Sequence, residues 1–124
     1  MVKSNLLGSL EQKIMNILWE SETPLKPSEV LLRLENKVAY TTVMTVLSRL
    51  YDKGLLKRQK GGKAYVYTFQ KSKQKFARSR LDKLYHQVLD NYGEFAISQF
   101  VDTLKKNEND LNALEEYLKN THEA

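Results

Sequence analysis

Residues 40–69, YTTVMTVLSRLYDKGLLKRQKGGKAYVYTF, contain a switch of hydrophobic period that decides the fold. Over residues 40–53 the apolar positions Val43, Val46, Leu47 and Leu50 recur as one face of a helix. The segment is rich in Val and Thr, so propensity alone would tolerate a strand. Periodicity, and Gly54 as a C-terminal stop, decide for helix. Beyond it the period falls to two: Tyr65, Tyr67 and Phe69 alternate with Ala64, Val66 and Thr68, as in a strand. Gly61-Gly62 between this run and Leu55–Lys60 reads as a hairpin tip. Lys57, Arg58, Lys60 and Lys63 flank that tip and make it basic.

Upstream, residues 9–19 place Leu10, Ile14, Ile17 and Leu18 on one helical face, and Ser9 with Gln12 has the spacing of a capping box. Pro24 and Pro27 interrupt the pattern, and Pro27 suits the first position of a second helix carrying Val30, Leu31 and Leu34. From Ser72 onward only helical patterns remain. Leu81, Leu84 and Val88, with Tyr85 and Leu89, form one stripe; Ile97, Phe100, Val101 and Leu104 form a second; Leu111, Leu114 and Leu118 form a third. Gly93 and the KNEND segment separate them.

The order helix, helix, helix, hairpin within about 70 residues is the plan of a winged helix-turn-helix, whose third helix enters the major groove while its hairpin lies along the DNA. With the apolar stripe turned inward, the third helix presents Thr41, Thr42, Thr45, Ser48 and Arg49. Short hydroxyl side chains let a helix approach base edges, and threonine adds a methyl that suits the thymine methyl group. The same face could be plain solvent surface, but it lacks the Glu and Lys that usually fill such faces. The hairpin bases likewise have two readings: phosphate contact without sequence readout, or lysines protecting an edge strand from aggregation.

The whole-chain figures agree with a nucleic-acid partner without naming one. The 124 residues carry a net charge of +5. Residues 1–70 hold 11 Lys/Arg against 6 Asp/Glu, whereas residues 71–124 hold 9 of each. Within the second part, Lys71–Lys83 is basic and the remainder acidic. There are no cysteines, which excludes disulfides, thiolate metal sites and cysteine nucleophiles. His86 and His122, the two histidines, have no partner at metal-ligand spacing, so no metal or other cofactor is expected. There is no glycine-rich phosphate loop and no grouped nucleophile and base, so an enzyme is not expected either. No apolar run approaches the length of a membrane span, and the N-terminus lacks the apolar core of a secretion signal; a cytoplasmic protein without membrane contact is expected.

The stretches LGSLEQKIMNILWE (7–20) and AYTTVMTVLSRLYDKGLLKRQKGGKAYVYTF (39–69) closely resemble the penicillinase-repressor family, the BlaI/MecI/CopY-type regulators. The resemblance extends more weakly past residue 75. It implies a homodimeric repressor, mainly α with a small β-hairpin. A winged helix-turn-helix over residues 1–71 would bind double-stranded DNA at an inverted-repeat operator, and a helical dimerisation region over 72–124 would join two copies. Carried onto this chain, the DNA-binding positions are Tyr40, Thr41, Thr42, Thr45 and Arg49 on the helix, to which the outward-face reading adds Ser48. The wing runs over Lys57 to Lys63 with Lys57, Arg58, Lys60 and Lys63, and has Tyr65 and Tyr67 on its return strand.

Three short amphipathic helices enclose a poor core by themselves. Pairing with a second copy would bury Leu84, Val88, Phe95, Ile97, Phe100, Leu104, Leu111, Leu114 and Leu118; packing onto the winged helix is the alternative. Two departures from the family concern its signals. Antibiotic-responsive members are cut by a sensor protease at an Asn-Phe bond, where this chain has Gln99-Phe100, and copper-responsive members end in a cysteine-rich motif that is missing here. A winged-helix module for protein–protein contact is the rival from another class.

Overall fold

The computed structural model describes residues 6–35 and 37–121, so His122 lies outside the described residues. The chain runs α1 (Ser9–Glu20), α2 (Pro27–Arg33), α3 (Tyr40–Asp52), β1 (Leu56–Gly61), β2 (Ala64–Phe69), α4 (Lys73–Tyr92), α5 (Glu94–Leu104) and α6 (Glu108–Thr121). Its contacts fall into two compact units that meet in sequence between Leu81 and Asp82. Residue 72, where the second region was expected to begin, immediately precedes α4, and the first turns of that helix group with the winged helix.

The first unit is built around the inward face of α3. Val43, Leu47 and Leu50 are fully buried and Val46 nearly so. They pack with Ile14, Met15 and Leu18 of α1, Val30 of α2, and Leu25, Leu55, Leu56 and Tyr67. Each such aliphatic side chain contributes on the order of 1.5–3 kcal/mol by leaving water. The end of α3 is locked by two backbone bonds, Gly54 N–H to the Tyr51 carbonyl (2.9 Å) and Leu55 N–H to the Leu50 carbonyl (3.0 Å). This is a Schellman stop, and it requires the positive φ of 81° that Gly54 supplies. Leu50 and Leu55 are both buried beside it.

Two local expectations need correction. The cap of α1 is one residue earlier than Ser9: Gly8 is the N-cap, and its N–H donates to the Glu11 carboxylate at 3.1 Å. Gln12 turns along the helix instead and donates to Asn16 at 3.1 Å. The hairpin tip is Gly62-Lys63 and not Gly61-Gly62, because Gly61 still pairs with Ala64. A positive φ at Gly62 (82°) and at no non-glycine residue described gives the type II′ pattern, whose twist matches the strands. Leu34 is the C-cap of α2 and still packs half-buried against the core, so the stripe of Val30, Leu31 and Leu34 stands.

One pairing had no forewarning in the apolar pattern. Leu25, in the α1–α2 connection, exchanges both backbone bonds with Tyr67 on β2 (2.9 and 2.8 Å) and so adds a bridge to the free edge of the hairpin. Trp19 is half-buried; its Nε1–H donates to the Lys71 carbonyl at 3.0 Å, and its ring lies 5.3 Å from that of Phe76. That contact ties the start of α4 to the first unit.

Beyond Leu81 the helices are thinly packed. Gly93, with φ 56°, separates α4 from α5, and neither α5 nor α6 has a fully buried residue. No helix among the described residues is long and apolar enough to cross a membrane.

Glu11 joins two parts of the first unit, since the carboxylate that caps α1 also pairs with Lys53 at the end of α3 (2.9 Å). The Lys53 hydrogen bond is the main influence on its pKa and, with the Gly8 N–H, outweighs desolvation to hold it below its ordinary 4.5. A lowered folded pKa means the stabilisation is complete above the ordinary carboxylate range and is lost as pH falls through it. Glu11→Gln keeps a capping acceptor but not the charge, so it should lower stability by about 0.5–1 kcal/mol at neutral pH. In thermal denaturation, the gap between variant and parent should close as pH is lowered from about 7 to about 3.

Candidate nucleic-acid interface

The outward face of α3 follows from the inward one. Thr41, Thr42, Thr45 and Arg49 are exposed, Ser48 is half-buried, and Tyr40 at the first turn is 42% exposed. The structure therefore brings all six helix positions to the open side. Their chemistry is more restricted than the sequence suggests, because the Thr45 hydroxyl donates to the Thr41 carbonyl at 2.9 Å. With its proton engaged inside the helix, Thr45 offers a methyl group and an acceptor oxygen to anything that approaches.

The wing residues are divided among three surfaces. The register pairs Lys57 with Thr68, Arg58 with Tyr67, and Lys60 with Tyr65. Since side chains alternate along a strand, Arg58 and Lys60 share one face with Tyr65 and Tyr67, while Lys57 lies on the other with Gln59, Val66 and Thr68. Lys63 sits in the turn itself. The four bases thus do not form one cationic strip. Arg58 is also no free cation: its guanidinium carbon is 3.9 Å from the centroid of the Tyr51 ring and 4.3 Å from that of Tyr65.

In the second unit, Leu84, Val88, Leu104, Leu111 and Leu114 are half-buried, whereas Phe95 (83%), Ile97, Phe100 and Leu118 are exposed. Leu84, Val88, Ile97 and Phe100 line an open apolar cleft of about 340 Å³ between α4 and α5. Gln99 and Phe100 fall inside α5, where the Gln99 amide reaches Thr103 at 3.5 Å. His86 pairs with Asp82 one helical turn away (3.4 Å).

Three helices closed by a two-stranded hairpin form a winged helix-turn-helix, the fold of a class of transcriptional regulators. A solved structure of the PcaV transcriptional regulator from Streptomyces coelicolor, in complex with its natural ligand, shares this fold. Its TM-score is 0.50 at 20% identity, covering 81% of this chain and 73% of that one. Residues 7–120 match the family described as penicillinase repressor, and the chain belongs to that family. It is 39% identical over 69 residues to the transcriptional regulator BlaI of Mycobacterium tuberculosis, covering 54% of this chain and 50% of that protein. The chain thus spans about half the length of that curated relative. It is 31% identical over 85 residues to the penicillinase repressor of Staphylococcus aureus, covering 64% of this chain and 67% of that one.

Two residues of this surface escape a reading by polarity. Met44 is 45% exposed on the outer side of α3, in line with Tyr40 and Ser48, and Tyr51 lies one turn beyond Ser48. Exposed apolar residues on a helix with a complete apolar stripe of its own were the available signal. Met44→Ala should change stability by no more than about 0.5 kcal/mol. Leu47→Ala, one turn on and inside the core stripe, should cost about 2–5 kcal/mol. Chemical denaturation of the two variants compares them directly, and a costly Met44 truncation would mean that this side of α3 is covered.

Proposed function

We propose that the chain is a sequence-specific transcriptional repressor that binds an inverted-repeat operator as a homodimer. The observation that carries this reading is the open face of α3, free of Lys and Glu and lined by threonines, on a helix packed against a cationic hairpin. Thr41, Thr42, Thr45 and Met44 offer methyl and short polar contacts to base edges, and Arg49 can reach a phosphate or a guanine. Lys57, Lys60 and Lys63 contribute attraction to the phosphate backbone that carries no sequence information. Such a protein works where the chromosome is, in the cytoplasm, and requires no cofactor for this contact.

The homodimer rests on the second unit. Phe95, Ile97, Phe100 and Leu118 stand in water in the isolated chain, and the cleft between α4 and α5 is almost wholly apolar. A second copy related by a two-fold axis would cover both faces with one self-complementary patch. It would also place two recognition helices on half-sites about one helical turn apart. Release by a sensor protease is a weaker part of this reading, since Gln99-Phe100 replaces the Asn-Phe bond.

Binding to a duplex from the protein's own promoter region should be tight and fall steeply with salt, whereas random duplex should bind far more weakly. Thr45→Ala combined with Arg49→Ala should lower operator affinity roughly ten- to hundredfold, the effect of losing one or two base contacts, with the oligomer unchanged. Equal affinity for promoter and random duplex across a salt series would sink the repressor reading in favour of a protein-binding module. For the dimer, Phe100→Asp should convert the species seen in sedimentation to a monomer, while a parent chain that sediments as a monomer at all concentrations would refute it.

A further inference from the structure

Arg58 sits where the wing meets the end of α3, and its surroundings differ from those of the other wing cations. Tyr51 belongs to the last turn of α3 and Tyr65 to β2, so the two rings that share the guanidinium come from different elements. Tyr67, the cross-strand partner of Arg58, turns its ring edge toward Tyr65 with centroids 6.4 Å apart. Among the described residues the ion pairs are Lys53–Glu11 and His86–Asp82, so the Tyr51 and Tyr65 faces, with a side-chain hydrogen bond to Tyr67, and not a carboxylate hold Arg58. Lys57 and Lys63 are exposed, while Arg58 is half-buried.

We propose that Arg58 is a positioning residue: through Tyr51 and Tyr65 it clamps the wing to the end of the recognition helix and thereby contributes to operator specificity. The inference rests on the repressor reading above and deepens it. A two-stranded hairpin is marginal in water, and this one is fixed at its β2 edge by Leu25 and on its α3 side by the guanidinium. A specific complex needs helix and wing to meet the duplex in one fixed relation, so the ordering cost is lowest when that relation exists beforehand. Non-specific attraction to phosphates has no such requirement. A planar guanidinium stacks on rings in a way that an ammonium does not, which separates the clamp from the charge.

The test uses the full chain, a duplex that the protein itself enriches from a randomised pool, and a random duplex. Arg58→Lys keeps the charge and Tyr51→Leu keeps Arg58; each should weaken binding to the enriched duplex by about three- to tenfold, the scale of one or two cation–π contacts. Random-duplex affinity and the slope of affinity against salt should stay at the parent values. Tyr51→Phe, which retains the ring, should behave like the parent. In the DNA-free protein, Arg58→Lys and Tyr51→Leu should speed amide hydrogen exchange across residues 57–66. Parent-like binding and exchange in both variants would overturn the clamp, as would an equal loss on both duplexes with a shallower salt slope in Tyr51→Leu. A parent chain that enriches no duplex would remove the repressor reading itself, and wing exchange in the same variants then decides separately whether the rings hold the hairpin.

Discussion

Four side chains facing inward determine what α3 can show outward. Val43, Val46, Leu47 and Leu50 leave the helix one rotation about its axis that keeps them from water, and that rotation turns Thr41, Thr45 and Ser48 away from the core. The placement of the remaining elements of the first unit follows the same burial. α1 brings Ile14, Met15 and Leu18 against the stripe, the Schellman turn at Gly54 redirects the chain, and β1 begins at Leu56 with that residue still inside. Moving the stripe by one residue would carry core side chains into water and polar ones inward, so stability and surface chemistry are set by the same choice.

Features that repeat over several residues were legible before any coordinates. The change from a helical to an alternating period located α3 and the hairpin, and the glycine after α3 ended the helix where expected. Features that depend on one atom were not. Ser9 and Gln12 have the right spacing for a cap, yet Glu11 does this work because a carboxylate can at once accept from the Gly8 N–H and pair with Lys53. Leu25 looks like a lone apolar residue between two prolines; its two bonds to Tyr67 involve backbone groups, which every sequence carries. Lys57 and Arg58 are neighbours in sequence, and the strand pleat sends them to opposite faces. The exposure of Met44 was hidden because hydrophobicity alone assigns such a residue to the core.

The two halves of the chain handle apolar surface in different ways. The first unit closes a core around Ile14, Met15, Leu18, Leu47 and Leu50, and leaves Leu32, Tyr40 and Met44 exposed. The second spreads Phe95, Ile97, Phe100 and Leu118 over short helices that cannot wrap around them, and it is net acidic, with 4 Lys/Arg against 9 Asp/Glu, where the first is positive. One unit is complete as a single chain and offers polar chemistry outward; the other carries a surface that suits an apolar partner of the same kind. In the proposed repressor this divides the work, with sequence readout in one unit and pairing in the other.

The bridge between Leu25 and Tyr67 also bears on how such a chain can diverge. The connection from α1 to α2 looks like a loop, but its backbone is held in register with β2, so an inserted residue there would displace the bridge or the buried Leu25 side chain. At Gly62-Lys63 the chain is exposed and leaves the ladder, and extra residues could be accommodated with the pairing below intact. Length variation is therefore tolerated at one end of the wing and resisted at the other, and the reach of the tip along DNA can change without altering the body that carries it.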